Sequence, residues 1–153
     1  MPSLTVDFST PRPGAATLTA EVASLVLDLT ERHLGKKRAL TAVSVAERPA
    51  ATWFVGGASL AELGQASHRT VIRVTEGTNT KAEKARFVAA VHEGMGRLLG
   101  PMRPESYVVV EEVRADAWGW GGETQEHRAV AEKLAGEAEA ALVFDAYRRF
   151  GVR

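Results

Sequence analysis

The residue with the clearest chemical potential is Pro2, directly after the start methionine in Met1-Pro2-Ser3-Leu4-Thr5-Val6-Asp7-Phe8. Removal of Met1 would leave proline at the terminus, where it presents a secondary amine. In an apolar pocket such an amine sheds its charge readily and can act as a base near neutral pH. Its plain reading is a residue that merely follows a start codon. The question is whether the remaining chain builds a site around it.

Other chemistry is thinly supported. The chain has no cysteine, which excludes disulfides, thiolate metal sites and a cysteine nucleophile and suits a reducing cytoplasm. His33, His68, His92 and His127 share no ligand spacing, so no metal site is expected. His33 reads as a helix-end residue, His68 as the start of a strand, and His92 and His127 as exposed. Neither double glycine precedes a lysine-serine or lysine-threonine pair, and Gly94-Met95-Gly96 falls within a helical stretch, so phosphate loops are absent. Nineteen basic residues balance nineteen acidic ones, which gives nucleic acid or an anionic membrane no global field to follow. The longest apolar stretch, Val22 to Leu29, is far too short to span a bilayer, and no signal pattern precedes it. A soluble cytoplasmic protein of 153 residues, folded as one domain, is expected.

Any site must be positioned by the elements around it. Leu4, Val6 and Phe8 alternate with polar residues over 3–9, the period of a half-buried strand. Pro11-Arg12-Pro13-Gly14 makes a loop. Leu18, Val22, Leu25, Val26 and Leu29 form a helical stripe between Ala16 and Leu34, stopped by Gly35. A strand over 40–47 follows, then Trp53-Phe54-Val55-Gly56-Gly57. The pattern then recurs. Arg69 to Thr75 reads as a strand, and Thr80-Lys81-Ala82-Glu83 has capping-box spacing. Phe87, Val88, Val91, Met95 and Leu98 line a helix that Gly100-Pro101 ends. Tyr107 to Val110 is the next strand, and Trp118-Gly119-Trp120-Gly121-Gly122 the second aromatic-glycine segment.

The two halves keep one offset. Leu34-Gly35 and Leu99-Gly100 are 65 apart, as are Val43-Ser44-Val45 and Val108-Val109-Val110, and Gly56-Gly57 and Gly121-Gly122. Helix stop, strand core and double glycine at a single spacing mark an internal duplication. The fold class expected is α+β. Two β-α-β units, each with a right-handed crossover, form a four-stranded sheet with both helices on one face. Repeat one covers 2–66, repeat two 67–122, and 123–153 is a helical extension, either one helix or two split near Gly136. The uncovered sheet face carries apolar side chains too, and a homo-oligomer is the simplest cover for it.

A duplicated β-α-β unit of this size with Pro2 first resembles the tautomerase superfamily, named for 4-oxalocrotonate tautomerase. The residues that carry the resemblance are Pro2, the Glu76-Gly77 loop, and the runs from Glu47-Arg48-Pro49-Ala50 to Gly56-Gly57 and from Glu112 to Gly122. It extends over about residues 2–122. Length and layout look most like the fused members grouped with cis-3-chloroacrylic acid dehalogenase and malonate semialdehyde decarboxylase. The resemblance implies a homotrimer of fused chains that needs no cofactor and acts on a small carboxylate substrate. The terminal proline is the acid/base, arginines grip carboxylate, and an aromatic residue ahead of the double glycine walls the pocket.

Carried onto this chain, Pro2 takes the catalytic role. Arg12 takes that of the carboxylate-binding arginine after the first strand, where a guanidinium can make two parallel hydrogen bonds to its ligand. Its plain reading is a solvated loop arginine. Trp118 falls at the aromatic wall position, with Trp53 as its first-unit equivalent; ordinary packing is the plain reading for both. The departures are Ser44 and Val109, where the short tautomerases place a second arginine mid-strand, and Thr75 and Thr78, where the dehalogenase arginines flank Glu76-Gly77. The dehalogenase tyrosine also falls at Val109, and its histidine near Thr30. These losses argue against dehalogenation and decarboxylation by the family's known routes. Arg73 is the replacement cation expected, if its strand runs antiparallel beside the first and so ends near Pro2; the plain reading is an edge or interface arginine. The function implied is a cofactor-free tautomerase acting on an enolisable 2-keto acid. The alternatives are a decayed or binding relative, or a hydratase, decarboxylase or dehalogenase with altered residues.

Overall fold

The alternation over the first residues produces strand β1, Ser3–Ser9, with Leu4, Val6 and Phe8 fully inside. The computed structural model describes residues 1–11 and 16–150, with side chains through 139. Helix α1, Leu18–Leu34, buries Val22, Val26 and Leu29 along one stripe. Gly35 stops it in the left-handed region at φ 64°, with its N–H donating to the Glu31 carbonyl. Strand β2, Ala42–Glu47, is followed by a hairpin of β3, Phe54–Val55, and β4, Ala58–Ser59. Gly56 and Gly57, at φ 59° and 90°, make its tight turn, a backbone path closed to most side chains.

Ser59 then caps the one-turn helix α2, Leu60–Leu63, in a reciprocal box with Glu62. Ser59-Leu60-Ala61-Glu62 has the box spacing in the sequence as well. Strand β5, Ser67–Thr75, starts two residues earlier than expected, and β6, Tyr107–Val113, runs three residues further. Between them lies α3, Lys81–Leu99, opened by the expected box of Thr80 and Glu83.

The sheet order is β2-β1-β5-β6, with β1 parallel to β2, β5 parallel to β6 and β1 antiparallel to β5. It is the mixed α+β sheet that two fused β-α-β units imply. Helices α1 and α3 pack together over one face, enclosing Phe8, Phe87, Ile72, Val91 and Met95. Burying a phenylalanine side chain stabilises by roughly 1.5–3 kcal/mol. The helices approach closely where Gly94 meets Leu25; an added Cβ would lie 2.8 Å from the leucine Cδ1. The Asn79 side chain donates to the Leu34 carbonyl at 3.0 Å, so the start of the second helix satisfies the end of the first.

The duplication keeps its 65-residue spacing in the helices, where Val22 and Val26 match the equally buried Phe87 and Val91. In the first strand of each unit the spacing is 66, since inward-facing Leu4, Val6 and Phe8 correspond to Thr70, Ile72 and Val74. This one-residue slip assigns His68, not Ser67, to the place of Pro2.

The open face of the sheet differs from the apolar surface expected. Its three cross-strand rows are Ala42-Ser3-Arg73-Glu111, Ser44-Thr5-Val71-Val109 and Ala46-Asp7-Arg69-Tyr107. Apolar side chains hold the middle of one half, and charges hold both ends.

The chain divides into two compact units, Met1–Val113 and Arg114–Arg153. The second unit consists of a hairpin, β7 Gly119–Trp120 and β8 Glu123–Thr124, followed by helix α4, Gln125–Phe150. The helix is continuous through Gly136. Val130 and Leu134 on it are exposed. Among the described residues no helix is long and apolar enough to cross a membrane.

Candidate active site

Pro2 is buried at the head of β1, where its carbonyl accepts from the Ala42 N–H at 3.4 Å. The antiparallel pairing expected for β5 is present, and it sets Ser3 across from Arg73. Arg73 thus stands within one residue of Pro2 in the ladder. Its side chain is 45% exposed and its Nε lies 2.7 Å from Glu111 Oε2, on the neighbouring strand. Glu111 is a partner that reading the sequence missed. The signal for it lies in the register of β5 on β6, which pairs Arg73 directly with Glu111.

Arg12 lies outside the described residues. Trp118 belongs to the second unit, just ahead of its hairpin. It is half-buried, its indole N–H has no hydrogen-bond partner among the described residues, and its carbonyl accepts from the Gln125 N–H at 3.1 Å. In the same unit the Arg128 guanidinium stacks 4.2 Å from the centre of the Trp120 ring.

The other charged end of the open face forms a cleft of about 680 Å³, lined by Asp7, Arg48, Trp53, Phe54, Arg69 and Tyr107 among others. Asp7 is largely buried and serves two arginines. Arg48 donates from Nε to Asp7 Oδ1 at 2.7 Å, and its Nη2 also lies 2.7 Å from that oxygen. Arg69 donates from Nη2 to Oδ2 at 3.4 Å. Trp53 is held over this cleft because its carbonyl accepts from the Leu60 N–H at 2.9 Å, tying the hairpin to α2.

His68 occupies the counterpart of the Pro2 position in repeat two. It is fully buried, its Nδ1 is 3.1 Å from Thr70 Oγ1, and its Nε2 has no partner among the described residues. Its ring packs 5.8 Å from that of His92, which is half-buried rather than exposed as the sequence suggests. Burial first, and the neighbouring His92 second, push the His68 pKa down to about 4, so the ring is neutral at pH 7. Where α3 starts, at the other end of β5, Lys84 donates to Glu112 at 2.7 Å, and this bond chiefly lowers the carboxylate's pKa.

Comparison with known proteins follows the same lines. Residues 71–128 match the family model of tautomerase enzymes. No curated protein matches the sequence. Among solved structures, a wild-type fused 4-OT asymmetric trimer superposes with a TM-score of 0.68 at 19% identity, over 80% of this chain and 97% of that one. Pt0534 inactivated by 2-oxo-3-pentynoate gives 0.71 at 16% identity, over 82% and 98%. A macrophage migration inhibitory factor-like protein from Entamoeba histolytica gives 0.66 at 16% identity, over 80% and 97%. The chain therefore shares the fold of these tautomerase structures, and its residues 71–128 resemble the tautomerase enzyme family.

Proposed function

We propose that the protein is a cofactor-free tautomerase that moves a proton on a small enolisable 2-keto acid, with Pro2 as general acid/base. The observation that carries this reading is a buried proline at the head of β1 with Arg73 beside it in the antiparallel ladder. With Met1 removed, the neutral amine takes the enol O–H proton. The oxygen's electron pair closes the carbonyl, the double bond's pair takes up the proton at carbon, and the amine is regenerated. Arg73 and Arg12 hold the carboxylate and draw charge toward it, and Trp118 takes the aromatic wall role.

The fused 4-OT and the protein inactivated by 2-oxo-3-pentynoate support a substrate of this class. The proposed assembly is a homotrimer in the cytoplasm, in keeping with the trimeric fused 4-OT structure. A second reading, a binding relative without turnover, draws on the Arg73–Glu111 pair, which offsets the cation the reaction needs.

Ultraviolet assay of phenylenolpyruvate and 2-hydroxymuconate ketonisation, on protein whose intact mass verifies Met1 loss, tests the proposal. Turnover that disappears in Pro2→Ala is the expected result. Retained Met1, or equal rates in wild type and variant, removes Pro2 from the mechanism.

A further inference from the structure

We propose that helix α4 is a self-association surface, which pairs antiparallel with α4 of a second copy of the chain. Every residue from Ala129 to Glu139 is exposed, Val130 by 52% and Leu134 by 59%. Two large apolar side chains one helical turn apart make an open patch that asks for a partner. Subunit contact within a trimer does not supply one. The trimeric fused 4-OT matches over 97% of its own length and 80% of this chain. The share left over is the size of α4, which lies outside both repeats, so a trimer of that kind forms without it.

The stripe fits a copy of itself. Val130, Leu134 and Ala138 follow at intervals of four, and the spacing continues the same face at Ala141 and Leu142. A two-fold axis midway between Leu134 and Ala138 sets Leu134 level with Ala138 of the second copy. The same axis sets Val130 level with position 142 and His127 level with position 145, which are Leu142 and Asp145 in the sequence. Large then meets small at the centre of the contact, the pattern that lets two helices interdigitate.

Charge selects the antiparallel direction. The first part of α4 is acidic, with Glu126, Glu132, Glu137 and Glu139 against Arg128 and Lys133. Its last turns hold Arg148 and Arg149 against Asp145. Antiparallel pairing sets each acidic part beside the basic end of the other helix, whereas parallel pairing would set like beside like. Opposed helix dipoles favour the same direction. The stripe from 130 to 142 is only about 18 Å long, so one such contact is small beside a standard interface of about 1,600 Å². Two trimers joined at three of these contacts hold by effective concentration, which makes a closed hexamer the expected assembly.

Light scattering of the full-length protein tests the pairing. The wild-type mass should be twice that of Leu134→Asp. Ala129→Asp, which puts the same charge on the far side of the helix, should keep the wild-type mass. Circular dichroism melting verifies that each variant is folded. The factor of two reads the pairing apart from the trimer on which the hexamer rests: dimer against monomer would uphold the pairing and refute the trimer. Equal masses for wild type and Leu134→Asp overturn the proposal, and so does an equal loss in Ala129→Asp. Crosslinking reads the direction. The chain has no cysteine, so Leu134→Cys and Ala138→Cys each carry a single thiol. Mixed and oxidised, the two variants should give chiefly the 134–138 disulfide by mass spectrometry, because these positions face each other across the antiparallel pair. A predominant 134–134 disulfide, or no crosslink, overturns the antiparallel pair.

Discussion

The two ends of the open sheet face are made from one duplicated frame and furnished differently. At the head of β1 stands Pro2, with Arg73 one residue away in the ladder and paired to Glu111. At the head of β5 stands His68, enclosed and neutral, with Arg69, Arg48 and Asp7 gathered beyond it. Duplication thus supplies the same place twice, but a free secondary amine can exist only where a chain starts. The copy inside the chain has no such group. There, an arginine pair and aromatic side chains remain without that amine.

The largest effect should come from breaking the asymmetry at Pro2. Loss of a positioned acid/base costs about 10²–10⁴-fold in rate, so Pro2→Ala should lower kcat for phenylenolpyruvate ketonisation by that factor. A variant within threefold of wild type would make the two ends chemically equivalent and end the comparison.

The counterpart test lies at His68 and is read by stability. Its pKa is about 4 in the folded protein against 6.5 for an unperturbed histidine. Above pH 6.5 the ring is neutral in both states and its contribution is fully present. As pH falls from 6.5 toward 4 the unfolded chain takes a proton that the folded one refuses, and stability declines. The loss across that window is on the order of 3 kcal/mol. Urea unfolding at pH 7 and pH 4.5 should show a smaller decline in His68→Leu than in wild type. The subtraction matters because Glu62, Glu83 and Glu112, held at lowered pKa by hydrogen bonds, add a decline of the same sign. Identical pH dependence in the two proteins would show that His68 gains its proton without cost.

Much of this was written in the chain. The period-2 run of Leu4, Val6 and Phe8, the glycine stops and the Thr80–Glu83 box name their elements directly, because each is a local rule. Arg73 could be brought to Pro2 from sequence, since antiparallel pairing of the two inner strands follows from the duplication. The Asp7–Arg48–Arg69 cluster could not. It depends on β1 and β5 pairing Asp7 with Arg69, and a one-residue error in register moves a side chain to the opposite face. The slip from 65 in the helices to 66 in these strands is such an error, and it hid His68 as the counterpart of Pro2. Arg73's partner Glu111 was hidden for the same reason: cross-strand pairs belong to the sheet, not to either strand.

Arg73 sharpens the comparison next. If it holds substrate carboxylate, Arg73→Gln should lower kcat/KM by about tenfold to a hundredfold, the worth of one hydrogen bond to a charged group. Glu111→Gln frees the guanidinium from its 2.7 Å ion pair and should lower KM. Steady-state kinetics of the two variants must move KM in opposite directions. Movement in the same direction would assign the pair a structural role in the ladder.

The smallest effect compares the two helices that cover the sheet. The duplicated frame gives them equal stripes but unequal starts. At the head of α3 the Thr80 hydroxyl accepts the Glu83 N–H at 3.2 Å, while Glu83 accepts the Thr80 N–H at 2.7 Å. Two backbone donors that the helix leaves open are thereby satisfied. At the head of α1, Thr17 sits in the helical region at φ −88°, ψ −11°, and its side chain makes no capping bond. It donates instead to Glu21 at 3.1 Å, on the surface. Thr80→Ala should therefore cost about 1 kcal/mol in urea unfolding, and Thr17→Ala only a few tenths. Equal losses would mean that the helix start is secured by packing, as where Asn79 reaches across to Leu34, and that the box adds nothing to it.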